Sequence, residues 1–358
     1  MATIVFAGGG TAGHIEPALA VAREWIKSHP EDRVLFLGVK GGLEDKLIPA
    51  AGFTLAYIPR VSISRRPSLS WLRIPSSLIS AVRASMLTLK ESDLLIGFGG
   101  YVSAPAYLAA KILRVPTVIH EANAKPGWAN RLGAMVTPYL AVASPVDIGK
   151  FSQALLTGLP LRSDVAQAYT KAHMDFKTAR NEAKVRLGFN QSAPLIFVMG
   201  GSQGSVAINA ALEGALDSLL TKGYSILHSV GRSNVLPPTQ DSYHPVAYLD
   251  AMADAYLASD LIIARSGAVT CSEFRALGRY ALFVPLPIGN GEQFHNAKEL
   301  VSQNRAQILE QSQLSSKYLI SHIEDLLAQS AKAPVDGSGI DLEAASKIVA
   351  LGEFAISK

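Results

Sequence analysis

The sequence predicts two α/β domains, each a Rossmann-like, doubly wound parallel sheet, that face each other across a cleft. Three observations predict this class. Short apolar runs rich in β-branched residues alternate along the chain with longer helical patterns. A chain of 358 residues exceeds what a single hydrophobic core usually supports. Three glycine-rich turns, spread over both halves, each follow a predicted strand.

Strands and helices follow in order from these patterns. The strands predicted in the first half are Thr3–Ala7, Val34–Gly38, Leu94–Gly97 and Thr117–His120. Those predicted in the second half are Leu195–Met199, Ser225–Ser229, Leu261–Ala264 and Ala281–Val284. Helices are predicted over Pro17–Ser28 and Ala104–Leu113, and further helices begin near Ser205, Asp250 and Thr270.

A turn-rich connection at 157–162 separates the two halves, and a polar helical stretch follows it to about Leu187. We therefore expect an N-terminal domain over residues 1–160 and a C-terminal domain over residues 161–340. The last segment, 341–358, has a helical pattern.

Composition and charge exclude several classes of function. The net charge of +4 is too small to predict a nucleic-acid partner without aromatic residues interleaved in a basic groove. The single cysteine, Cys271, cannot form an intramolecular disulfide, and the N-terminal residues lack a signal-peptide pattern. We expect a cytoplasmic protein. The sequence contains neither a cluster with zinc-ligand spacing nor an Asp-x-Asp pair near a strand end. We therefore expect no bound metal and no cofactor.

The glycine-rich turns indicate where a ligand binds. They lie at 8–14, 97–103 and 200–205, each between a predicted strand and a predicted helix. Glycine lets backbone amides approach an oxyanion closely, and the helix dipole favours negative charge at the same place. These turns predict a phosphate-binding cleft lined from both domains.

One alternative is an NADP-dependent oxidoreductase. Gly8, Gly10 and Gly13 match the dinucleotide pattern G-x-G-x-x-G. The acidic residue that usually ends the second strand is missing, because Gly38 is followed by Val39 and Lys40. NAD is therefore disfavoured, and Lys40 leaves NADP open. A non-catalytic nucleotide-sugar binding protein at the membrane is a further alternative.

Five motifs together resemble one family. They are Gly9–His14, Gly99–Ser103, His120–Asn123, Gly200–Gly204 and Arg265–Glu273. In this order they resemble the MurG family, inverting glycosyltransferases that move N-acetylglucosamine from UDP-N-acetylglucosamine to the 4-hydroxyl of the N-acetylmuramoyl group of lipid I, the undecaprenyl-pyrophosphoryl-N-acetylmuramoyl-pentapeptide. The resemblance implies a GT-B fold, metal-independent synthesis of the peptidoglycan precursor lipid II, and a peripheral position at the cytoplasmic face of the membrane. It also implies that helix 341–358 packs back on the first domain.

The resemblance also implies the site residues. His14 is the candidate general base, since its ordinary pKa of roughly 6.5 suits proton transfer near neutral pH, and Glu121 is the reserve. Glu273 is implied for the ribose, Leu249 for the uracil, and Ser202 and Arg162 for the diphosphate. The full set expected to bind substrates is Thr11, Ala12, Gly13, His14, Asn123, Arg162, Ser202, Leu249, Val269, Thr270, Glu273, Glu292 and Gln293.

Basic and apolar residues between Arg60 and Lys90 predict contact with an anionic membrane surface. The basic residues are Arg60, Arg65, Arg66, Arg73, Arg83 and Lys90, and the apolar ones are Leu69, Trp71, Leu72, Ile74, Leu78 and Ile79. A cationic rim around apolar side chains docks on lipid without spanning the bilayer. A solvated basic face is the alternative.

Overall fold

A computed structural model of the chain describes residues 1–61, 74–287 and 291–358. The chain divides into two compact units. The first unit contains Met1–Arg162 together with Ile340–Lys358, and the second contains Ser163–Gly339. Each unit is built around a fully parallel sheet with helices, which confirms the prediction of two Rossmann-like α/β domains.

The first unit has a seven-stranded sheet in the order β3-β2-β1-β4-β5-β6-β7. Its strands are β1 (Thr3–Gly8), β2 (Arg33–Gly38), β3 (Thr54–Tyr57), β4 (Leu94–Gly99), β5 (Thr117–Glu121), β6 (Tyr139–Val142) and β7 (Leu155–Leu156). Its connecting helices are α1 (Ala12–Ser28), α2 (Glu44–Ala50), α3 (Ile74–Leu89), α4 (Ser103–Leu113) and α5 (Trp128–Gly133).

The second unit has a six-stranded sheet in the order β10-β9-β8-β11-β12-β13. Its strands are β8 (Leu195–Met199), β9 (Ser225–Ser229), β10 (Tyr243–Val246), β11 (Leu261–Ala264), β12 (Ala281–Phe283) and β13 (Ala306–Ile308). Its helices are α6 (Ser163–Met174), α7 (Phe176–Arg186), α8 (Val206–Glu213), α9 (Leu216–Thr221), α10 (Met252–Ala258), α11 (Ala268–Leu277), α12 (Glu292–Ser302) and α13 (Ser316–Lys332).

The central strands are apolar along their whole length because both faces of each sheet are covered. Every residue of β8 is buried, and so is every residue of β4. In the first unit, Phe6 and Trp25 belong to the core on one face of the sheet, and Val5 and Tyr107 belong to the core on the other. Parallel sheets covered on both faces produce such unbroken apolar runs.

Helix α1 begins earlier than predicted. The sequence predicted a start at Pro17, whereas the helix begins at Ala12 and includes Pro17. Proline inside a helix removes one backbone hydrogen bond. The buried residues Ile15, Leu19 and Ala22 lie on the same face of the helix and compensate by packing into the core. As a result, His14 lies in the first turn of α1 rather than in the preceding loop.

The last helix, α14 (Ala344–Ile356), packs against α1 within the first unit. Ile348 and Val349 are buried in the same core as Trp25. Gly352 permits the close approach, because a Cβ at this position would lie 2.8 Å from the Trp25 ring. At the end of the first sheet, the backbone N–H of Leu159 donates to Asp341 at 2.8 Å.

Within residues 1–61, 74–287 and 291–358, no helix is both long enough and apolar enough to cross a membrane.

Candidate functional site

The first candidate edge lies between β1 and β4. The chain runs from β1 outward to β2 and β3 and then crosses to β4 on the other side of β1. Open α/β sheets bind ligands outside the carboxyl ends of the strands at such a switch point. The turns after β1 and β4 are two of the three predicted glycine-rich turns, so the topology brings them to one edge.

Two glycines let these turns touch. Gly100 has φ of +84°, and a Cβ there would lie 2.2 Å from the Gly9 carbonyl oxygen. Gly10 has φ of +91°, and a Cβ there would lie 2.8 Å from the Tyr101 ring. Both the backbone conformation and the space therefore require glycine. Ser103 adds a further link, since its hydroxyl donates to the carbonyl oxygens of Ala7 and Gly99, each at 2.8 Å.

His14 is fixed at this edge by its Nδ1 atom. Nδ1 lies 3.1 Å from the Gly9 carbonyl oxygen and 3.1 Å from Thr11 Oγ1. A carbonyl oxygen only accepts, so the tautomer that fits carries its proton on Nδ1 and has its lone pair on Nε2. Burial lowers the pKa of His14 from its ordinary value, while the charges of Glu121 and Glu44 oppose that shift. The side chain is thus suited to accept a proton at Nε2.

Glu121, the reserve base, is buried at the end of β5 and already accepts several hydrogen bonds. Oε1 accepts from the backbone N–H of Asn123 at 2.8 Å and from its side-chain amide at 3.1 Å. Oε2 accepts from the N–H of Gly127 at 3.0 Å and from Asn130 Nδ2 at 3.0 Å. These contacts favour a role in holding the β5–α5 loop. Two of these hydrogen bonds connect Glu121 to Asn123, one of the residues expected to bind substrates.

The second candidate edge lies between β8 and β11, the switch point of the other sheet. Arg265, at the end of β11, joins three turns there. Its Nη2 donates to Ser205 Oγ at 2.7 Å and to Gln311 Oε1 at 2.6 Å, and its Nη1 donates to the carbonyl oxygen of Val284 at 2.8 Å. Ser205 is also the N-cap of α8 and accepts from the N–H of Ile208. The starts of α8 and α11 are therefore tied to one edge.

The N-terminus of α11 offers the groups that a nucleotide needs. Val269 and Thr270 lie in its first turn, where backbone N–H groups lack partners within the helix. Ser266 precedes the helix, and its hydroxyl oxygen is fully buried without a hydrogen-bond partner. Glu273 is 2% exposed, and its Oε2 accepts from the Tyr256 hydroxyl at 2.7 Å. Helix amides bind phosphate, and a fixed carboxylate accepts from a ribose diol.

Helix α12 lies beside this turn. Asn296 Nδ2 donates to the Ser266 carbonyl oxygen at 3.3 Å. Glu292 is the first residue of α12, and Gln293 Oε1 accepts from the N–H of Leu286 at 3.0 Å. Glu292 and Gln293 are thus half-buried near the second edge, as candidates for contact with the sugar. Residues 288–290, which precede α12, lie outside the described residues.

The remaining predicted residues are distributed between the units. Thr11 is the N-cap of α1, and Ala12 and Gly13 open that helix. Ser202 lies in the turn before α8, and Leu249 precedes α10, the helix that carries Tyr256. Arg162 is the last residue of the N-terminal part of the first unit.

The sequence interpretation missed three side chains at these edges: Glu44, Tyr101 and Tyr256. Glu44 is fully buried at the start of α2, and Tyr101 donates to its Oε1 at 2.5 Å. Burial and the Glu44 hydrogen bond raise the pKa of Tyr101 to about 12. One signal for Glu44 was present in the sequence, a glutamate shortly after a Gly-Gly turn at the end of a predicted strand. Among the described residues, no group of three or more His, Cys, Asp or Glu side chains is arranged to hold a metal ion.

Comparison with known proteins identifies the class of enzyme. The model of the glycosyltransferase family 28 N-terminal domain matches residues 4–139, and that of the family 28 C-terminal domain matches residues 195–348. The crystal structure of CalG4, the calicheamicin glycosyltransferase, shares the fold at 12% identity, with a TM-score of 0.66 over 100% of this chain and 99% of that one. The fold is that of the glycosyltransferases, and the chain is a hexosyltransferase.

More similar relatives define the family within this class. The UDP-N-acetylglucosamine–N-acetylmuramyl-(pentapeptide) pyrophosphoryl-undecaprenol N-acetylglucosamine transferases of Streptomyces coelicolor and Corynebacterium glutamicum are 40% and 42% identical to it. The aligned regions cover 91% and 90% of this chain and 89% of each relative. The crystal structure of Acinetobacter baumannii MurG is 26% identical, with a TM-score of 0.70 over 99% of this chain and 100% of that one. The chain belongs to the MurG family of N-acetylglucosamine transferases.

Proposed function

We propose that this chain transfers N-acetylglucosamine from UDP-N-acetylglucosamine to the 4-hydroxyl of the N-acetylmuramoyl group of lipid I, which yields lipid II for peptidoglycan. Membership of the MurG family supports this pair of substrates. The observation that carries the proposal is the second strand edge, where Arg265 joins the start of α8 to that of α11, the helix that carries the buried carboxylate of Glu273. This edge combines the chemistry for a diphosphate with that for a ribose.

The donor nucleotide binds at this edge. The N–H groups of Val269 and Thr270 and the turn that contains Ser202 receive the diphosphate, with Arg162 as a further positive charge. Glu273 accepts from the ribose hydroxyls, and the backbone near Leu249 contacts the uracil ring. Glu292 and Gln293 pair with hydroxyls of the sugar. The geometry of the second unit supports the ribose assignment most directly, because Tyr256 holds one oxygen of Glu273 in place.

The chemistry is a direct displacement that inverts the anomeric carbon. His14 Nε2 takes the proton of the acceptor 4-hydroxyl as its oxygen forms a bond to C1 of the sugar. The bond from C1 to the UDP oxygen breaks, and UDP leaves with the electron pair. Helix amides stabilise the charge that develops on the diphosphate. The contacts of Glu121 support a positioning role for it, so His14 is the stronger candidate base.

The substitution His14→Ala tests the base. General bases contribute roughly 100-fold to 10,000-fold to rate, so UDP release in the presence of lipid I should fall by about 100-fold or more while UDP still binds by calorimetry. Because burial lowers the pKa of His14, wild-type activity should decline only as the pH falls below the ordinary histidine range.

The matched control for this test is His322→Ala, a change at an exposed histidine of α13 in the second unit. It should retain wild-type turnover. Near-normal lipid-dependent UDP release by His14→Ala, with donor binding intact, would show that another group removes the proton.

The oxidoreductase alternative receives no support from the site. At the end of β2, a Cβ on Gly38 would lie 2.7 Å from Glu44 Cγ. A dinucleotide-binding fold presents its ribose-binding acid at this place. Here the place contains the Glu44 carboxylate, which already accepts hydrogen bonds from the backbone N–H groups of Val39 and Gly10. Calorimetry should detect binding of UDP and not of NADPH.

We further propose that the chain is peripheral at the cytoplasmic face of the membrane and contacts anionic lipid through α3. Ile79 and Leu87 are 52% and 81% exposed, and Arg83 and Lys90 are exposed near them. Their spacing places Ile79, Arg83 and Leu87 along one face of the helix, and Lys90 follows its last residue. Among the other predicted contacts, Arg60 is exposed and Leu78 is half-buried. The rest lie outside the described residues, namely Arg65, Arg66, Leu69, Trp71, Leu72, Arg73 and the side chain of Ile74.

Liposome sedimentation tests the membrane proposal. The chain should sediment with vesicles that contain anionic lipid and less with neutral vesicles, because the basic residues add an electrostatic attraction. The variant Leu87→Glu should weaken sedimentation, since it removes apolar area and repels the anionic surface. Equal absence of binding to both kinds of vesicle would contradict the proposal.

A further inference from the structure

One peptide bond connects the candidate base to a buried carboxylate. The carbonyl oxygen of Gly9 lies 3.1 Å from His14 Nδ1, and the N–H of Gly10 donates to Glu44 Oε2 at 3.2 Å. These two groups belong to the same peptide unit. The order of contacts is therefore Glu44 carboxylate, peptide N–H, peptide C=O and His14 Nδ1–H.

Hydrogen-bond donors from three loops surround the buried carboxylate of Glu44. Its carboxylate also accepts from the N–H of Val39 at 3.2 Å and from the Tyr101 hydroxyl at 2.5 Å. These partners donate, which suits an ionised carboxylate because that form only accepts. Buried carboxylates require such partners. The chain thus uses three loops, after β1, β2 and β4, to hold this one group.

Glycines supply the space around the carboxylate. A Cβ on Gly42 would lie 2.6 Å from Glu44 Oε1, and a Cβ on Gly9 would lie 3.1 Å from the same oxygen. On the other side of the peptide, a Cβ on Gly100 would lie 3.2 Å from His14 Nδ1. The absence of side chains at these positions lets the carboxylate, the peptide and the imidazole lie in contact.

We propose that Glu44 is a positioning residue that acts on His14 through the Gly9–Gly10 peptide bond. A charged acceptor on the peptide N–H polarises the peptide and strengthens its carbonyl oxygen as an acceptor. The stronger carbonyl holds the proton on His14 Nδ1 and directs the Nε2 lone pair outward. Catalytic bases are commonly oriented by a third group in this way, and here a backbone amide lies between the two. The inference rests on the proposed role of His14 as base.

The test is the substitution Glu44→Gln, with nitrogen NMR of the His14 ring in the ligand-free protein. The wild-type protein should hold neutral His14 with its proton on Nδ1. The neutral amide of glutamine is a weaker acceptor than a carboxylate, so the Nε2–H tautomer should gain population in the variant. The turnover number should fall by about 10-fold, less than the roughly 100-fold minimum expected for loss of the base itself, with KM for both substrates within about twofold of wild type.

Asp45→Asn is the matched control. Asp45 is the next residue of α2 and accepts the same kinds of donor, the N–H of Gly41 at 2.9 Å and the Tyr57 hydroxyl at 2.5 Å. These partners are distinct from the Gly9–Gly10 peptide. The control should leave the His14 tautomer and the turnover number unchanged. An equal shift of tautomer in both variants would overturn the inference, as would an unchanged tautomer in Glu44→Gln.

The wild-type protein supplies a second measurement that needs no variant. The Gly10 amide should exchange slowly with solvent, and its nitrogen shift should follow the titration of His14. A wild-type His14 with its proton on Nε2 would overturn the inference. A different result would show that only the proposed base is wrong. In that case His14→Ala would retain turnover, while Glu44→Gln would still change the His14 tautomer.

Discussion

Three glutamate side chains at the two strand edges are buried, and each has a defined set of donors. Glu44 accepts from the Tyr101 hydroxyl, Glu121 from the Asn130 amide, and Glu273 from the Tyr256 hydroxyl. A buried carboxylate that accepts fixed hydrogen bonds cannot reorient freely, because rotation would leave its donors unpaired. Each of these groups therefore presents its remaining acceptor capacity in a constant direction.

The substitution Tyr256→Phe tests this for Glu273. Loss of the hydroxyl removes one hydrogen bond from the carboxylate, and a typical hydrogen bond contributes about 0.5–1.5 kcal/mol. We expect the KM for the donor and the Kd for UDP to rise by roughly twofold to tenfold. The turnover number should stay unchanged, because the ribose is held equally in the ground state and the transition state.

A buried tyrosine elsewhere in the same unit is the control for this change. Tyr280 donates to Gln329 Oε1 at 2.7 Å, so Tyr280→Phe loses a comparable hydrogen bond. Its UDP affinity should match wild type. An equal loss of affinity in both variants would indicate general loosening of the second unit rather than a specific effect on Glu273.

The eight strands in the middle of the two sheets were predicted from the sequence, and the other five were not. All eight predicted strands occur within two residues of their expected ends, because strands covered on both faces must be apolar throughout. The five strands without a sequence prediction are β3, β6, β7, β10 and β13, which contain two to four residues each. Two of them are exposed or interrupted: both residues of β7 are partly exposed, and β10 contains Pro245 at the edge of its sheet.

The positions of the glycine-rich turns were predictable from the sequence, whereas the residues that these turns contact were not. The spacing of Gly8, Gly10 and Gly13 indicated a strand-to-helix turn without any knowledge of the fold. Glu44 lies 57 residues from Tyr101 in the chain, and only the strand order shows that their loops meet. The predicted start of α1 was wrong because proline is common at the first position of a helix, whereas Pro17 lies more than one turn inside α1.

Both units, taken as whole domains, contain a buried histidine that is neutral in the folded state. His120 Nε2 lies 2.9 Å from the Gly158 carbonyl oxygen, and His228 contacts Tyr243 and Asn209. Burial lowers the pKa of His120 to about 4, and burial lowers the pKa of His228 to about 4 as well. Acid should therefore lower the stability of each unit, because the unfolded chain binds a proton at a histidine that stays neutral in the folded core.

Thermal unfolding between pH 7 and pH 5 tests this response. Below about pH 6.5 the unfolded chain binds a proton at each histidine, and the folded chain does not until about pH 4. Stability must therefore fall as the pH drops through this window, by about 2 kcal/mol per histidine at pH 5. The variant His228→Gln should have a shallower pH dependence. An unchanged slope would mean that His228 is protonated in the folded protein.

The placement of α14 has a consequence for how the molecule is made. Residues 1–162 leave the ribosome long before Ile348 and Val349, which cover Trp25 in the finished core. Until the last helix emerges, that apolar surface is exposed in the nascent polypeptide, and such surfaces favour aggregation. The second unit, whose residues 163–339 are contiguous, can complete its core first. The first unit therefore finishes folding last, although most of it is translated first.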